Sequence, residues 1–386
     1  MSDTLLNDIA PLGSLSSGPK PLPELSAKPF ASRIAYAAAH VVSEPLTCDP
    51  SNPVLAWDHT LAFRRYLWSL GFGVAEAMDT AQRGMGLPWP LALELIQRSA
   101  REARACNGRI ASGAGTDHLS PTTTYTLDQI TAAYLMQCEA VEAAGSRIIL
   151  MASRALAAAA HGIDDYRKVY DKVLSQLKQP AILHWLGPMF DPALAGYWGS
   201  PDIPTALNNC LALIRENAAN IDGIKISLLN ADLEIAMRRQ LPKGVRMYTG
   251  DDYNYDRLIL GDEHGHSDAL LGIFDPIAHT AAAALQALDA NDIARYNELL
   301  GPTVALSRRL FEPPTYNYKT GIVFLAWLNG HQPHFRMIGG AESARSVSHL
   351  FHLAGLAEHV GIFLNYDKAI ERYILFARVN LGRLRP

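Results

Sequence analysis

The chain has 386 residues, 49% of them hydrophobic, which suffices for one large core with appendages or for two domains. Its formal charge of -4, from 34 basic and 38 acidic residues, leaves no basic excess for a nucleic-acid backbone and no polybasic run for an anionic membrane surface. No uninterrupted apolar stretch is long enough to span a bilayer, and the scattered cysteines Cys48, Cys106, Cys138 and Cys210 form no CxxC pair, so a zinc knuckle or disulfide framework is excluded and a reducing cytoplasm fits.

Residues 1–30 are rich in Pro, Ser and Gly and read as a loose arm, with no basic and apolar succession of a signal peptide. Beyond it, short apolar runs alternate with amphipathic segments. Arg33–His40 reads as a strand and Asp58–Leu70 as a helix. Gly73–Met78 is a strand, followed by a helix over Pro90–Arg104. Arg109–Gly113 is a strand, and a Thr-rich capping segment opens a helix over Leu127–Ala144. Arg147–Met151 is next, then an Ala-rich helix start at Ala155–Ala160, a helix over Ile163–Leu177 and a strand over Pro180–Trp185. A helix over Ile203–Ala218 leads into the strand Ile221–Ser227, IDGIKIS, and a helix over Asp232–Gln240 into Val245–Thr249. Tyr255–Leu260 is a short helix before the eighth strand, Ser267–Phe274.

Eight strands separated by helices imply parallel pairing through crossovers, and the span fits a (β/α)₈ barrel over residues 31–280. A doubly wound open sheet is the alternative, but no GxGxxG follows the first strand. Residues 281–386 read as a C-terminal helical region.

In such a barrel the carboxyl ends of the strands converge on one mouth. The polar residues there are Asp79, Thr80 and Gln82 after strand two, Thr116 and Asp117 after strand three, and Arg154 after strand four. His184 ends strand five, Lys225 and Ser227 lie on strand six, and Asp251 and Asp252 follow strand seven. Lys225 stands out, because a cation is costly to bury and this one is flanked by Ile224 and Ile226. Period-two alternation turns the isoleucines to the helices and Lys225 to the barrel axis. An amine in an apolar cavity is a neutral nucleophile near pH 7, able to form an imine with a ketone. The competing reading pairs Lys225 with Asp251 or Asp252 as a buried ion pair. The other eight lysines lie in polar or helical surroundings that suggest solvent.

Gly-Ile-Lys-x-Ser, with Gly-Asp-Asp at the next strand end, resembles the dihydrodipicolinate synthase / N-acetylneuraminate lyase superfamily. The segments AAHVVSEP, AWDHTLAFRRYLWSLGFGVAEAMDTAQRGMGL, SGAGTD and YTGDDYNYD are similar to one branch of it, the domain of unknown function 993 family. The resemblance runs from about Arg33 to past Arg336 and takes in Pro314–Lys319. It implies the same barrel and a strand-six lysine, here Lys225, that forms an imine with a 2-keto acid. It also implies a homodimer or homotetramer, and it calls for no cofactor. The superfamily's Thr-Thr-Gly-Glu after strand two reads Met78–Arg83 here, its strand-four tyrosine is missing from Met151–Leu156, and its strand-five Tyr-Asn reads His184-Trp185.

With the lysine kept and its surroundings rebuilt, His184, titrating near neutral pH, is assigned the proton relay, against a core histidine bonded to backbone as the plain alternative. Arg154 is assigned a substrate carboxylate or phosphate, against a surface or inter-subunit ion pair as the plain alternative. Asp79, Asp117, Asp251 and Asp252 are assigned sugar hydroxyls, against helix capping as the plain alternative. The expected partner is a keto acid or sugar-derived small molecule. Two other readings stand beside this one. A metal-dependent sugar isomerase or epimerase would use the acidic mouth and Gly261–Asp268, although that stretch precedes strand eight. A non-catalytic sugar-binding barrel would leave Lys225 unmodified.

Overall fold

The computed structural model describes residues 19–46 and 52–381; residues 1–18 of the arm, Cys48 and residues 382–386 of the helical region lie outside them. Eight short strands pair in parallel in chain order, and the last closes on the first. They are β1 (Ala35–Ala38), β2 (Gly73–Glu76), β3 (Ile110–Ala114), β4 (Arg147–Leu150), β5 (Ala181–Leu186), β6 (Ile221–Ser227), β7 (Arg246–Thr249) and β8 (Asp268–Leu271). The connecting helices are α1 (Trp57–Ser69), α2 (Trp89–Cys106), α3 (Leu127–Ala144), the pair α4 (Arg154–Ala159) and α5 (Ile163–Leu174), α6 (Ile203–Glu216), α7 (Ala231–Arg238) and α8 (Tyr255–Leu260). This is the (β/α)₈ barrel.

After β8 the chain is helical: α9 (Ala278–Asp289), α10 (Ile293–Leu300), α11 (Thr303–Leu310), α12 (Tyr318–Leu328), α13 (Val347–Val360) and α14 (Tyr366–Leu381). Helix α12 is buried on every side, as its run of apolar residues from Gly321 to Leu328 requires. Among the described residues no helix is long and apolar enough to cross a membrane.

The helix ends follow local chemistry. Thr126 and Gln129 form a capping box at the start of α3, and Gly145 closes it in the left-handed region. Strands one and eight are shorter than the alternation suggests. His40 leaves the ladder because its N–H and its ring Nδ1 both bond the Asp275 carboxylate, at 2.8 and 2.7 Å. The described part of the arm is held by hydrogen bonds between Ser26 and Gln286 and from Ala31 and Ser32 to Asp289, and Phe30 is buried against Phe72.

Two apolar shells result. Tyr36, Ala75, Ile149, Ile182, Tyr248 and Leu270 fill the barrel interior. Ile224 and Ile226 face outward, packing with Ile214, Leu211 and other helix residues. One polar side chain lies deep in the helical layer. Glu234 of α7 accepts hydrogen bonds from Ser267 (2.7 Å) and Thr249 (2.9 Å), and burial pushes its pKa up to about 8. The folded state therefore binds more protons than the unfolded one between the carboxyl's ordinary 4.5 and 8, and stability falls as pH rises through that window. Glu234→Gln is expected to flatten the decline between pH 6.5 and 8, measured by urea unfolding at both values. Equal slopes for variant and parent would refute the assignment.

Candidate active site

Lys225 sits at the fifth position of β6, in register with His184 on β5 and Tyr248 on β7. Its side chain turns into the barrel, as alternation requires, and crosses the face of Gly250, where a Cβ would stand 2.7 Å from the lysine Cε and 2.4 Å from Ser227 Oγ. Lys225 is 8% exposed, and its amine has no hydrogen-bond or ion-pair partner among the described residues. Burial lowers its pKa, opposed by the charges of Asp79 and Asp252.

The ion pair weighed from sequence is absent. Asp251 accepts from the amides of Tyr253 (2.9 Å) and Asn254 (3.1 Å) and from the Asn254 side chain (2.9 Å), so it shapes the turn into α8 rather than facing the amine. Asp252 is buried and accepts from the Ile273 amide at 3.0 Å. Burial pushes its pKa up to about 7, held back by that amide and by Lys225. Asp79, in the short turn after β2, lines the mouth, and its carboxylate has no protein hydrogen-bond partner among the described residues.

Thr80 meets an unforeseen residue. Its Oγ1 lies 2.9 Å from the phenol of Tyr318, the first residue of α12. Gly272, at the end of β8, leaves the room: a Cβ there would come within 3.3 Å of the Tyr318 ring and 3.5 Å of Thr80 Oγ1. The ring stacks on Phe311, 4.5 Å between centroids. Burial raises the phenol's pKa well above its ordinary value, and Asp79 adds to the effect, so Tyr318 keeps its proton. Lys319 follows it, 4% exposed, contrary to its expected solvation. Its amine donates to the Tyr316 carbonyl (3.1 Å) and lies 4.6 Å from the Tyr318 ring centroid. Burial lowers its pKa to about 8 against the fields of Asp79 and Asp191. The signal for both residues was the wholly apolar run after them, which buries the start of α12 with the rest.

His184 faces inward with Nε2 3.4 Å from Ser227 Oγ. Its expected titration near neutrality is corrected. Burial, then the charge of Lys225, hold it well below the ordinary value, so it is a neutral imidazole at pH 7.

On the other wall of the mouth, Asp117 holds Arg83 through two hydrogen bonds, of 2.6 and 2.9 Å. Burial alone would raise its pKa, but Arg83 and Gln137 outweigh burial and leave it lowered. Thr116 bonds Ser153 at 2.6 Å, and Arg154 bonds Asp191 at 2.6 Å. Gln82 stands apart in role, because its amide clasps both backbone groups of Ile338 at 3.1 Å and fastens the β2 turn to the C-terminal region. Asp79, Thr116, Asp117, Arg154 and His184 share one cavity of about 810 Å³.

The Gly261–Asp268 stretch lies away from this mouth, where Asp262 bridges Arg238 and Arg239. Among the described residues no three His, Cys, Asp or Glu side chains converge as a metal-binding group.

Solved structures share this architecture. Dihydrodipicolinate synthase from Aquifex aeolicus is 12% identical, with a TM-score of 0.64 over 86% of this chain and 99% of that one. The enzyme from Bacillus clausii is 13% identical, with a TM-score of 0.64 over 85% and 98%. The chloride-inhibited enzyme from Acinetobacter baumannii, complexed with pyruvate, is 14% identical, with a TM-score of 0.63 over 86% and 100%. At these identities the likeness establishes the fold. No curated protein matches the sequence. The sequence model described as "Protein of unknown function (DUF993)" matches residues 14–380, and the chain accordingly belongs to the DUF993 family.

Proposed function

We propose that the protein is a Schiff-base-forming lyase, aldolase or dehydratase acting on a 2-keto acid or sugar-derived keto compound through Lys225. One observation carries the reading: the inward amine of β6 is buried in register with His184, which lines the mouth, unpaired among the described residues, with its affinity for a proton lowered. The Acinetobacter baumannii enzyme was solved with pyruvate, a 2-keto acid, and the proposal extends that ligand class to this chain.

The neutral amine adds to the keto carbon, and a proton passes from nitrogen to the former carbonyl oxygen. Expelling that oxygen as water takes one more proton and leaves an iminium. Asp252, with its pKa near 7 and Lys225 within its field, is the donor, and the carboxylate it becomes balances the new cation. The bond from the carbon next to the iminium carbon to its outer neighbour then breaks; its electron pair forms the carbon–carbon double bond while the C=N pair moves to nitrogen, giving an enamine. In an aldol cleavage the leaving fragment's hydroxyl loses its proton to Asp79, whose carboxylate is open to the cavity. The Tyr318–Thr80 pair carries protons to and from the enamine carbon in place of the tyrosine missing after β4. His184, neutral, orients the substrate together with Ser227. A homodimeric or homotetrameric assembly in the cytoplasm belongs to the same proposal.

The test is to incubate the protein with a panel of 2-keto acids and ketoses, reduce with borohydride and map adducts by peptide mass. A Lys225 adduct supports the proposal. An adduct on Lys319 alone, or none while a dihydrodipicolinate synthase control is trapped, refutes it. With a trapped substrate in hand, Tyr318→Phe is expected to lower kcat about 10²-fold while the Lys225 adduct still forms. A variant that turns over at the parent rate removes Tyr318 from the relay.

A further inference from the structure

The opposite end of the barrel also holds a cavity, of about 560 Å³. Its walls are strand beginnings: Arg109 just before β3, Arg147 opening β4, Arg246 opening β7, Asp222 early in β6, and Tyr36 and Tyr248 of the interior layer. The apolar layer that includes Ile149, Ile182 and Leu270 separates it from the mouth.

Four cations line this cavity (Arg109, Arg147, Lys178, Arg246) against two carboxylates (Asp222, Glu142), and Asp268 lies 3.7 Å from Arg246 behind the lining, which leaves an excess of one positive charge. Asp222 is shared, bonding Arg246 at 2.6 Å and the Tyr248 hydroxyl at 2.7 Å, with Arg147 at 3.6 Å. Arg109 donates to the Gly71 carbonyl and has no carboxylate partner among the described residues. A concave wall of low dielectric focuses such a field. A second observation points the same way. Tyr36 is 3% exposed, lines the cavity, and its hydroxyl has no hydrogen-bond partner among the described residues. Burial raises the pKa of this phenol, the positive charges of Arg147 and Arg109 pull it back, and Asp222 adds to the rise.

We propose that this end of the barrel is a second ligand site, taking a phosphoryl dianion on Arg109 and Arg147 with the Tyr36 hydroxyl as a further donor. Guanidiniums match phosphoryl oxygens two at a time, and a protonated phenol completes the shell. The cavity is larger than a phosphoryl group, so a phosphorylated small molecule fits with its carbon body along Ile110 and Ile148.

The experiment titrates the full-length protein with inorganic phosphate, glycerol 3-phosphate and succinate by calorimetry, at fixed ionic strength and pH 7.5. Both phosphates are expected to saturate with Kd on the order of 10⁻⁴–10⁻³ M. A tighter ester assigns a phosphorylated metabolite; equal affinities assign the free ion. Arg109→Gln/Arg147→Gln is expected to weaken binding at least about tenfold and Tyr36→Phe a few-fold. Arg109 and Arg147 are solvent-facing, so their replacement leaves the core intact. The proposal fails if neither phosphate saturates, if succinate binds equally well, if the double variant binds like the parent, or if Arg154→Gln abolishes binding. Lys225 enters none of these readouts.

Discussion

Lys225→Met is expected to lower kcat/KM by about 10³-fold or more and to abolish the borohydride adduct, because Lys225 is the amine proposed to form the iminium. Methionine keeps most of the stem that lies across Gly250, so packing changes little. The same variant is expected to be at least as stable as the parent at pH 7, since it removes an amine held in an apolar site without a partner. The two readouts separate the readings. A structural lysine would give the opposite pattern, a loss of stability from an orphaned Asp252 or Asp79. Thermal melting and steady-state kinetics on one preparation decide between them. Lys319→Met is the control, because its amine shares the burial but lies on α12.

Arg64→Met is expected to destabilise the fold by about 3–5 kcal/mol, measured by urea unfolding, because it leaves the Glu76 carboxylate buried without a countercharge. Both side chains are 0% exposed and joined by two hydrogen bonds of 2.9 and 2.8 Å. Arg64 also donates to the carbonyls of Thr60 and His40, while Glu76 accepts from the Ala77 amide at 2.8 Å. One guanidinium thus ties α1 to the ends of β1 and β2. Ala77 adopts φ 51°, a left-handed conformation unusual for alanine, and the Glu76 bond helps hold it there. That turn delivers Asp79 and Thr80 to the mouth. Arg64→Met/Glu76→Leu is expected to recover much of the stability, since no charge is then orphaned, yet to stay impaired in turnover because the turn is no longer fixed. A cost below about 1 kcal/mol for the single variant would show that the pair is not desolvated.

The barrel was legible because its signals are local. IDGIKIS matches β6 residue for residue, and the outward packing of Ile224 and Ile226 follows from a period of two. Strand ends were less legible, because His40 leaves the sheet for a partner more than 200 residues away in sequence. Side-chain roles at the mouth divided in the same way. Asp79 and Asp252 act on the amine through their charges, while Asp251 and Gln82 serve backbone groups, and residue type alone does not separate those uses. The neutral state of His184 depends on its enclosure, which a pattern of apolar neighbours does not quantify. Tyr318 and Lys319 were missed because helix α12 joins the mouth only through the tertiary packing of the C-terminal region. The arginines at the other end sit at strand beginnings, where polar turns are ordinary.

The position of Tyr318 has a consequence in time. All eight strands are synthesised by Leu271, but Tyr318 and Lys319 follow only 47 and 48 residues later. At about 5–20 residues per second, the ribosome holds for roughly 2–10 s a chain that has every strand and Lys225 but neither of these side chains. During that interval the Tyr318 ring that packs on Thr80 and on the turn after β8 is not yet present. The order of translation thus makes Lys225 older than the Tyr318–Thr80 pair that lies near Asp79.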